Sequence, residues 1–199
     1  MRRAAVAALL LAFSASPTLG QHAPAPPAAA SVPAPSAARQ PMLNITTGSP
    51  ATPGGKALID LAEQALVDAR HAADRMVAGG PASAVAAALD GTPGAGDRIG
   101  FVRAVAGIAA NAELAARAKD APGSLPAAAA RVDTCAGTLI DRAEAAAGLS
   151  DAAAVKRDLD ALADGIDVNG DGTAGWSDGE CGLAQLKALV AQMAADAGA

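Results

Sequence analysis

The chain has 199 residues, with 15 Lys and Arg against 20 Asp and Glu and a formal net charge of −5. About three residues in ten are Ala, against two Phe, one Trp and no Tyr, a balance that favours helices and gives a sheet core little to pack. The length suits one ordinary domain with extra segments, and its small side chains bury modest apolar area per residue. From Asp151 onward nine acids face three bases; such a negative field attracts cations and repels phosphate backbones, so no nucleic-acid partner is expected.

The N-terminal stretch MRRAAVAALLLAFSASPTLG combines Arg2 and Arg3 with an apolar run, Ala4 to Phe13, and a small-residue cleavage site at Thr18-Leu19-Gly20. It reads as a secretory signal peptide over residues 1–20, too short in its apolar part to span a bilayer; a retained anchor is the alternative. Cleavage would remove two Arg and take the charge to −7. No later segment is apolar for long enough to cross a membrane, so no transmembrane anchor is expected after cleavage. The expected location is the periplasm or the extracellular space.

Residues 21–53 are rich in Pro, Ala and Ser, as in APAPPAAASVPAPSAARQP, and read as a disordered linker. Asn44-Ile45-Thr46 fits a glycosylation acceptor, although a linker coincidence is the preferred reading. Thr52-Pro53 offers an N-cap followed by Pro at the first helical position. A first helix is therefore expected there, with Leu58, Ala62, Ala65, Leu66, Ala69, Ala73 and Met76 on one buried stripe that ends at Gly79-Gly80. A short helix over Ala82 to Leu89 follows. DGTPGAGDRIG, from Asp90 to Gly100, lacks the spacing of a phosphate-binding loop and reads as a turn.

Asp97 is placed to cap a helix carrying Ile99, Val102, Ala106, Ala109 and Ala116. Ser124 and Pro126 open the next, with Val132, Cys135, Leu139 and Ala143 on one face. Ser150 opens another, in which Val155, Leu159, Leu162 and Ile166 recur at helical steps, and Leu183, Leu186, Val190 and Met193 mark the last. Short connections predict an all-α fold over residues 54–199, an antiparallel bundle of five or six helices that ends in a helix-loop-helix.

The loop DVNGDGTAGWSDGECG, Asp167 to Gly182, carries the chemistry. Calcium takes six to eight oxygen ligands, and a twelve-residue loop supplies them from positions 1, 3, 5, 7, 9 and 12. Asp167, Asn169 and Asp171 fill positions 1, 3 and 5, Gly172 supplies the sharp turn, and Thr173 offers its backbone carbonyl at position 7. The second half departs from that pattern. Position 8 is Ala174, and position 12 is Asp178, whose shorter carboxylate would weaken calcium and narrow the preference over Mg2+. Ser177 and Glu180 have the spacing of a capping box, so a loop lengthened to residues 167–180 would bring Glu180 to the closing position. Asp178 and Glu180 compete for that role, with a slight preference for Glu180. The competing reading is a plain Asn-Gly and Asp-Gly turn.

The front half of the loop resembles the EF-hand superfamily, which implies bound calcium. More broadly, Lys56 to Met193 resembles a family of uncharacterised exported bacterial helical proteins that end in such a segment. The likeness is carried by Asn169 to Gly172, Trp176, Gly179, Glu180, Gly182, Leu183 and ELAARAKDAPGS from Glu113, and it implies no established activity. Members carry several His on their helices, whereas here only His71 does, so no histidine-based function transfers.

Cys135 and Cys181 are the only cysteines, and export predicts a disulfide between them. Two buried thiols, or a reactive Cys with His71 as base, are the alternatives. Asp160, Asp164 and Asp167 share helical spacing and read as a solvated acidic face. Trp176 is expected to fold over the helix junction and shield the metal. No set of nucleophile, base and orienting group is apparent, so a non-enzymatic role is expected. The predicted function is a calcium-binding exported helical protein in which metal stabilises the helix-loop-helix; the alternative is a protein-interaction module with an unknown partner and the loop as a brace.

Overall fold

In a computed structural model the described residues are 36–91, 99–176 and 179–199. They form an all-helical bundle of seven α-helices: α1 (Arg39–Thr46), α2 (Leu58–Val77), α3 (Ser83–Asp90), α4 (Phe101–Ala116), α5 (Leu125–Ala147), α6 (Ala152–Asp164) and α7 (Leu183–Asp196). None of them is long and apolar enough to cross a membrane. The signal-peptide reading and the proposed cap Asp97 lie outside the described residues.

The linker expected over residues 21–53 is corrected from residue 38 onward, because α1 belongs to the core. Met42 and Ile45 are fully buried, and α1 packs on α2, α4 and α7. Its first turn is held from a distance. The carboxylate of Asp120 accepts the N–H groups of Ala37 at 2.8 Å and Ala38 at 3.2 Å, a placement that also suits the positive end of the helix dipole. Asn44 Nδ2 donates to Asn111 Oδ1 on α4 at 2.9 Å, so the acceptor sequence sits on a helix with its amide engaged, and not in a linker.

Thr52-Pro53 opens a single 3-10 turn at Pro53–Gly55, and α2 begins only at Leu58. The Thr52 hydroxyl is spent locally, donating to the Ser49 carbonyl and accepting the Ser49 N–H. Beyond that shift the periodic reading of α2 holds: Leu58, Ala62, Ala65, Leu66, Ala69 and Ala73 are all buried, with Met76 packed at the edge. The stripe on α4 is rotated from the expected one. Phe101, Ala104, Val105, Ile108, Ala112 and Ala115 are buried, whereas Ala106 is exposed. The fully buried Phe101, a large aromatic among alanines, decides which face turns inward.

Helix α5 is the spine, packing on α3, α4, α6 and α7. Val132, Cys135, Leu139 and Ala143 are fully buried along it. Ser124 precedes it without a side-chain cap bond; its hydroxyl donates to Asp196 at the end of α7. Helix α6 is capped by Asp151, not by Ser150, through a 2.7 Å bond from the Ala154 N–H. Val155, Leu159 and Leu162 are buried on α6, as are Leu183, Leu186, Val190 and Met193 on α7. Cys135 on α5 and Cys181 just before α7 are joined as a disulfide with Cα atoms 5.4 Å apart, which fixes the end of the long loop to the spine.

Candidate metal site

The loop between α6 and α7 is built from hydrogen bonds that its own acidic side chains accept. Asp167 Oδ1 takes the N–H groups of Gly170 at 2.6 Å and Asp171 at 3.1 Å, while Oδ2 takes that of Gly172 at 2.8 Å. Asn169 Oδ1 accepts the Asp171 N–H at 2.9 Å, and Asp171 Oδ1 accepts both the N–H and the hydroxyl of Thr173. Side chains at positions 1, 3 and 5 are thus turned inward over the backbone, as Asx turns dictate. The two bonds from Thr173, its hydroxyl first, hold the Asp171 carboxyl below its usual range. Gly172 has φ 89°, a conformation that side chains rarely tolerate, and this is the sharp turn expected from the sequence.

Glu180 enters from the far end. It is 2% exposed, and its carboxylate closes across the loop: Oε1 accepts the N–H groups of Val168 at 3.2 Å and Asn169 at 3.1 Å, and Oε2 that of Gly175 at 2.9 Å. The structure therefore brings Asp167, Asn169, Asp171, Thr173 and Glu180 into one loop stitched by hydrogen bonds. Asp178, the competing ligand, lies outside the described residues together with Ser177. Among the described residues no three Asp, Glu, His or Cys side chains converge as a ready-made cage. The predicted set contains three carboxylates, Asp167, Asp171 and Glu180, which share one loop without being gathered around a single point.

The donor chemistry fits a hard cation. A carboxylate offers about four acceptor positions. Three are used on Asp167 and three on Glu180, and Asp171 Oδ2 has no protein partner among the described residues. Asp167 and Glu180 each keep about one acceptor position, and Asp171 more. The side chains of Asp167, Asn169 and Asp171 are also exposed.

Two details of the helix-loop-helix are corrected. The incoming helix ends at Asp164, and Ile166 lies beyond it, half exposed, with its N–H donating to the Glu180 carbonyl at 2.9 Å. The outgoing helix starts at Leu183, not Ser177, so Glu180 is not its third residue. The cap is Gly182, whose N–H donates to Gln185 Oε1 at 2.9 Å, while Gln185 Nε2 reaches back to the Asp164 carbonyl at 3.0 Å. Gly165 and Gly182 make this crossing possible: a Cβ on Gly182 would fall 2.1 Å from the Gly165 nitrogen. Of the three aspartates expected on one solvated helix face, Asp160 and Asp164 are exposed on α6 as expected and only Asp167 is off it. Asp160 pairs with Arg70 across α6 and α2 at 3.0 Å, and Asp167 belongs to the loop.

Trp176 is 40% exposed, and the Arg131 guanidinium of α5 lies 4.9 Å from its ring centroid. This cation–π contact ties the middle of the loop to the spine. His71 is exposed on α2, where it lines a cleft with Lys56, Asp68 and Arg75 beside α3. The disulfide removes both thiols as free nucleophiles.

Sequence reasoning passes over Gln185 and Arg142. Arg142 sends its guanidinium from α5 to three backbone carbonyls: Nη1 to Ala161 at 2.9 Å and to Cys181 at 3.3 Å, and Nη2 to Gly179 at 2.7 Å. Partial burial pulls its pKa down from the usual value, with Asp158 opposing. One signal is present in the sequence: Arg142 stands seven residues after Cys135, two helical turns along the same face. Comparison of the chain with protein-family models, with curated proteins and with solved structures finds no match in any of the three.

Proposed function

We propose that this chain is an exported calcium-binding helical protein in which the ion stabilises the α6-loop-α7 unit. The observation that supports it best is that the side-chain oxygens of Asp167, Asn169 and Asp171 all accept loop N–H groups, with the buried Glu180 carboxylate closing the same loop from its far end. Three carboxylates drawn into one short segment repel each other, and a divalent cation removes that repulsion. Asp167, Asn169, Asp171, the Thr173 carbonyl and Glu180 are the proposed ligands, with Asp178 as the alternative closing group. Closure by Asp178 would move the preference toward magnesium.

The action of the ion is linkage: metal bound only by the folded state raises its stability. Extracellular modules bind calcium with dissociation constants of about 0.1 to 1 mM. At about 1 mM calcium this gives roughly 0.4 to 1.4 kcal/mol. The disulfide suits an exporting route.

The test is a calcium titration, then a magnesium titration, of chelator-stripped protein, following Trp176 fluorescence and Tm together. A saturable calcium response with a raised Tm is expected; a flat response in both signals would reduce the loop to a turn. A second reading, an interaction module with the loop as a brace, is favoured by Ile166, Val168 and Trp176, which are large apolar residues exposed on this same loop.

A further inference from the structure

We infer that Arg142 is the positioning residue of the calcium loop, holding the closing carboxylate of Glu180 in place through the backbone on either side of it. This rests on the proposed calcium reading and extends it to a residue that touches no metal. Gly179 and Cys181, whose carbonyls accept from the guanidinium, are the two neighbours of Glu180. One rigid planar group therefore fixes both flanks of the side chain that reaches across to Val168, Asn169 and Gly175.

The same guanidinium binds the Ala161 carbonyl, which also accepts the Gly165 N–H at the end of α6. Arg142 thereby joins the helix that delivers Asp167 to the segment that delivers Glu180. The disulfide reinforces the arrangement from the same face of α5, seven residues earlier and one residue beyond Glu180. The covalent tie fixes Cys181 in distance, and the guanidinium fixes the orientation of the peptide groups around Glu180. A lysine could not replace it. Its ammonium is a single point on a flexible stem, whereas the two terminal nitrogens of arginine hold a fixed fork.

Charge and position make opposite predictions, and so separate the roles. A cation beside a calcium site repels the ion, so if Arg142 acted only by its charge, Arg142→Gln would bind calcium more tightly and Arg142→Lys would match the wild type. As a positioning residue, both variants bind calcium about ten- to hundredfold more weakly, the range typical when a group that orients a metal ligand is lost. The experiment is calorimetric titration of calcium into full-length wild type, Arg142→Lys and Arg142→Gln, with the disulfide intact and Tm measured in chelator. A lowered Tm with unchanged calcium affinity would make Arg142 a purely structural residue and overturn the inference.

A readout on the wild type covers the case in which a variant does not fold. Coupling is reciprocal, so saturating calcium should slow hydrogen exchange of the Arg142 guanidinium, followed by NMR. Unchanged exchange overturns the inference while the calcium reading stands. A wild type that takes up no calcium overturns both.

Discussion

Replacing Glu180 by Gln tests the construction of the loop in the absence of metal. The carboxylate accepts three N–H groups, two on Oε1 and one on Oε2, and is almost fully buried. Gln is the same size, but it has one acceptor oxygen. If that oxygen faces Val168 and Asn169, the amide NH2 is pushed against the Gly175 N–H, donor against donor. One bond to a charged acceptor is lost, at about 1.5–3 kcal/mol, and its donor is left unpaired. The two surviving bonds become neutral and weaker, while relief of repulsion from Asp167 and Asp171 offsets part of the loss. The net cost is about 2–4 kcal/mol. At about 2–4 °C per kcal/mol for a domain of this size, Tm in chelator should fall by roughly 5–15 °C. The assay is thermal and urea unfolding in excess chelator, so that calcium plays no part. A change below about 0.5 kcal/mol, the usual scatter of surface substitutions, would refute the view that this carboxylate organises the loop.

Three further substitutions address separate parts of the argument. Asp167→Ala removes both the first proposed ligand and the acceptor of three loop N–H groups, so the Trp176 response to calcium should disappear; unaltered binding would place the metal elsewhere. Met42→Ala should cost about 2–5 kcal/mol, as for other buried large-to-small changes, and a loss below about 1 kcal/mol in urea unfolding would return α1 to the status of a linker. Asp74 pairs with Lys156 at 2.7 Å between α2 and α6, and that hydrogen bond holds the carboxyl below its ordinary value of 3.8. A depressed carboxylate stabilises the fold above its unfolded pKa and loses that effect as pH falls through the folded pKa. Any stability gap between wild type and Asp74→Asn should thus be present at pH 7 and close as pH falls below 3.8; a gap that widens on acidification would contradict the pairing.

The helices whose signals are local in sequence are legible from the sequence alone. Leu159 and Leu162, or Leu186 and Val190, fall at helical steps and are buried on one face. The turn geometry at the front of the candidate loop is legible for the same reason, since Asp167, Asn169 and Asp171 bond to groups two to five residues away. What the sequence conceals depends on distant groups. Helix α1 lies at the end of a Pro- and Ala-rich run, and the carboxylate that supports its first turn comes from Asp120, more than eighty residues on. The outgoing helix offers two start signals of equal spacing, Ser177 to Glu180 and Gly182 to Gln185. The second prevails because Glu180 is drawn into the loop, Arg142 holds its flanks, and Gly165 packs against Gly182. The ties to Glu180 and Gly165 reach across the fold, and of them only the placement of Arg142 on the face of Cys135 leaves a mark within one window of sequence.

The ties around this loop differ in strength, and their order has a consequence for what calcium does. By the chain-entropy estimate, closing the loop between Cys135 and Cys181, 46 residues apart, is worth about 4 kcal/mol less any native strain. The proposed ion gives roughly 0.4 to 1.4 kcal/mol at about 1 mM. Chelation alone should therefore leave the helices intact, with an unchanged far-UV circular dichroism spectrum at about 25 °C, while reduction by a dithiol should lower stability several times more. The two perturbations also meet at neighbouring residues, Glu180 and Cys181, so their effects should not add. With the disulfide reduced, Glu180 loses its covalent anchor and is held by hydrogen bonds only, those of Arg142 to its flanks among them, and bound calcium would then supply ordering that the bond had already provided. Calcium affinity should fall on reduction, measured by the Trp176 titration under non-denaturing conditions. Equal affinity in the oxidised and reduced states would mean that the hydrogen bonds, without the disulfide, set the geometry of the loop.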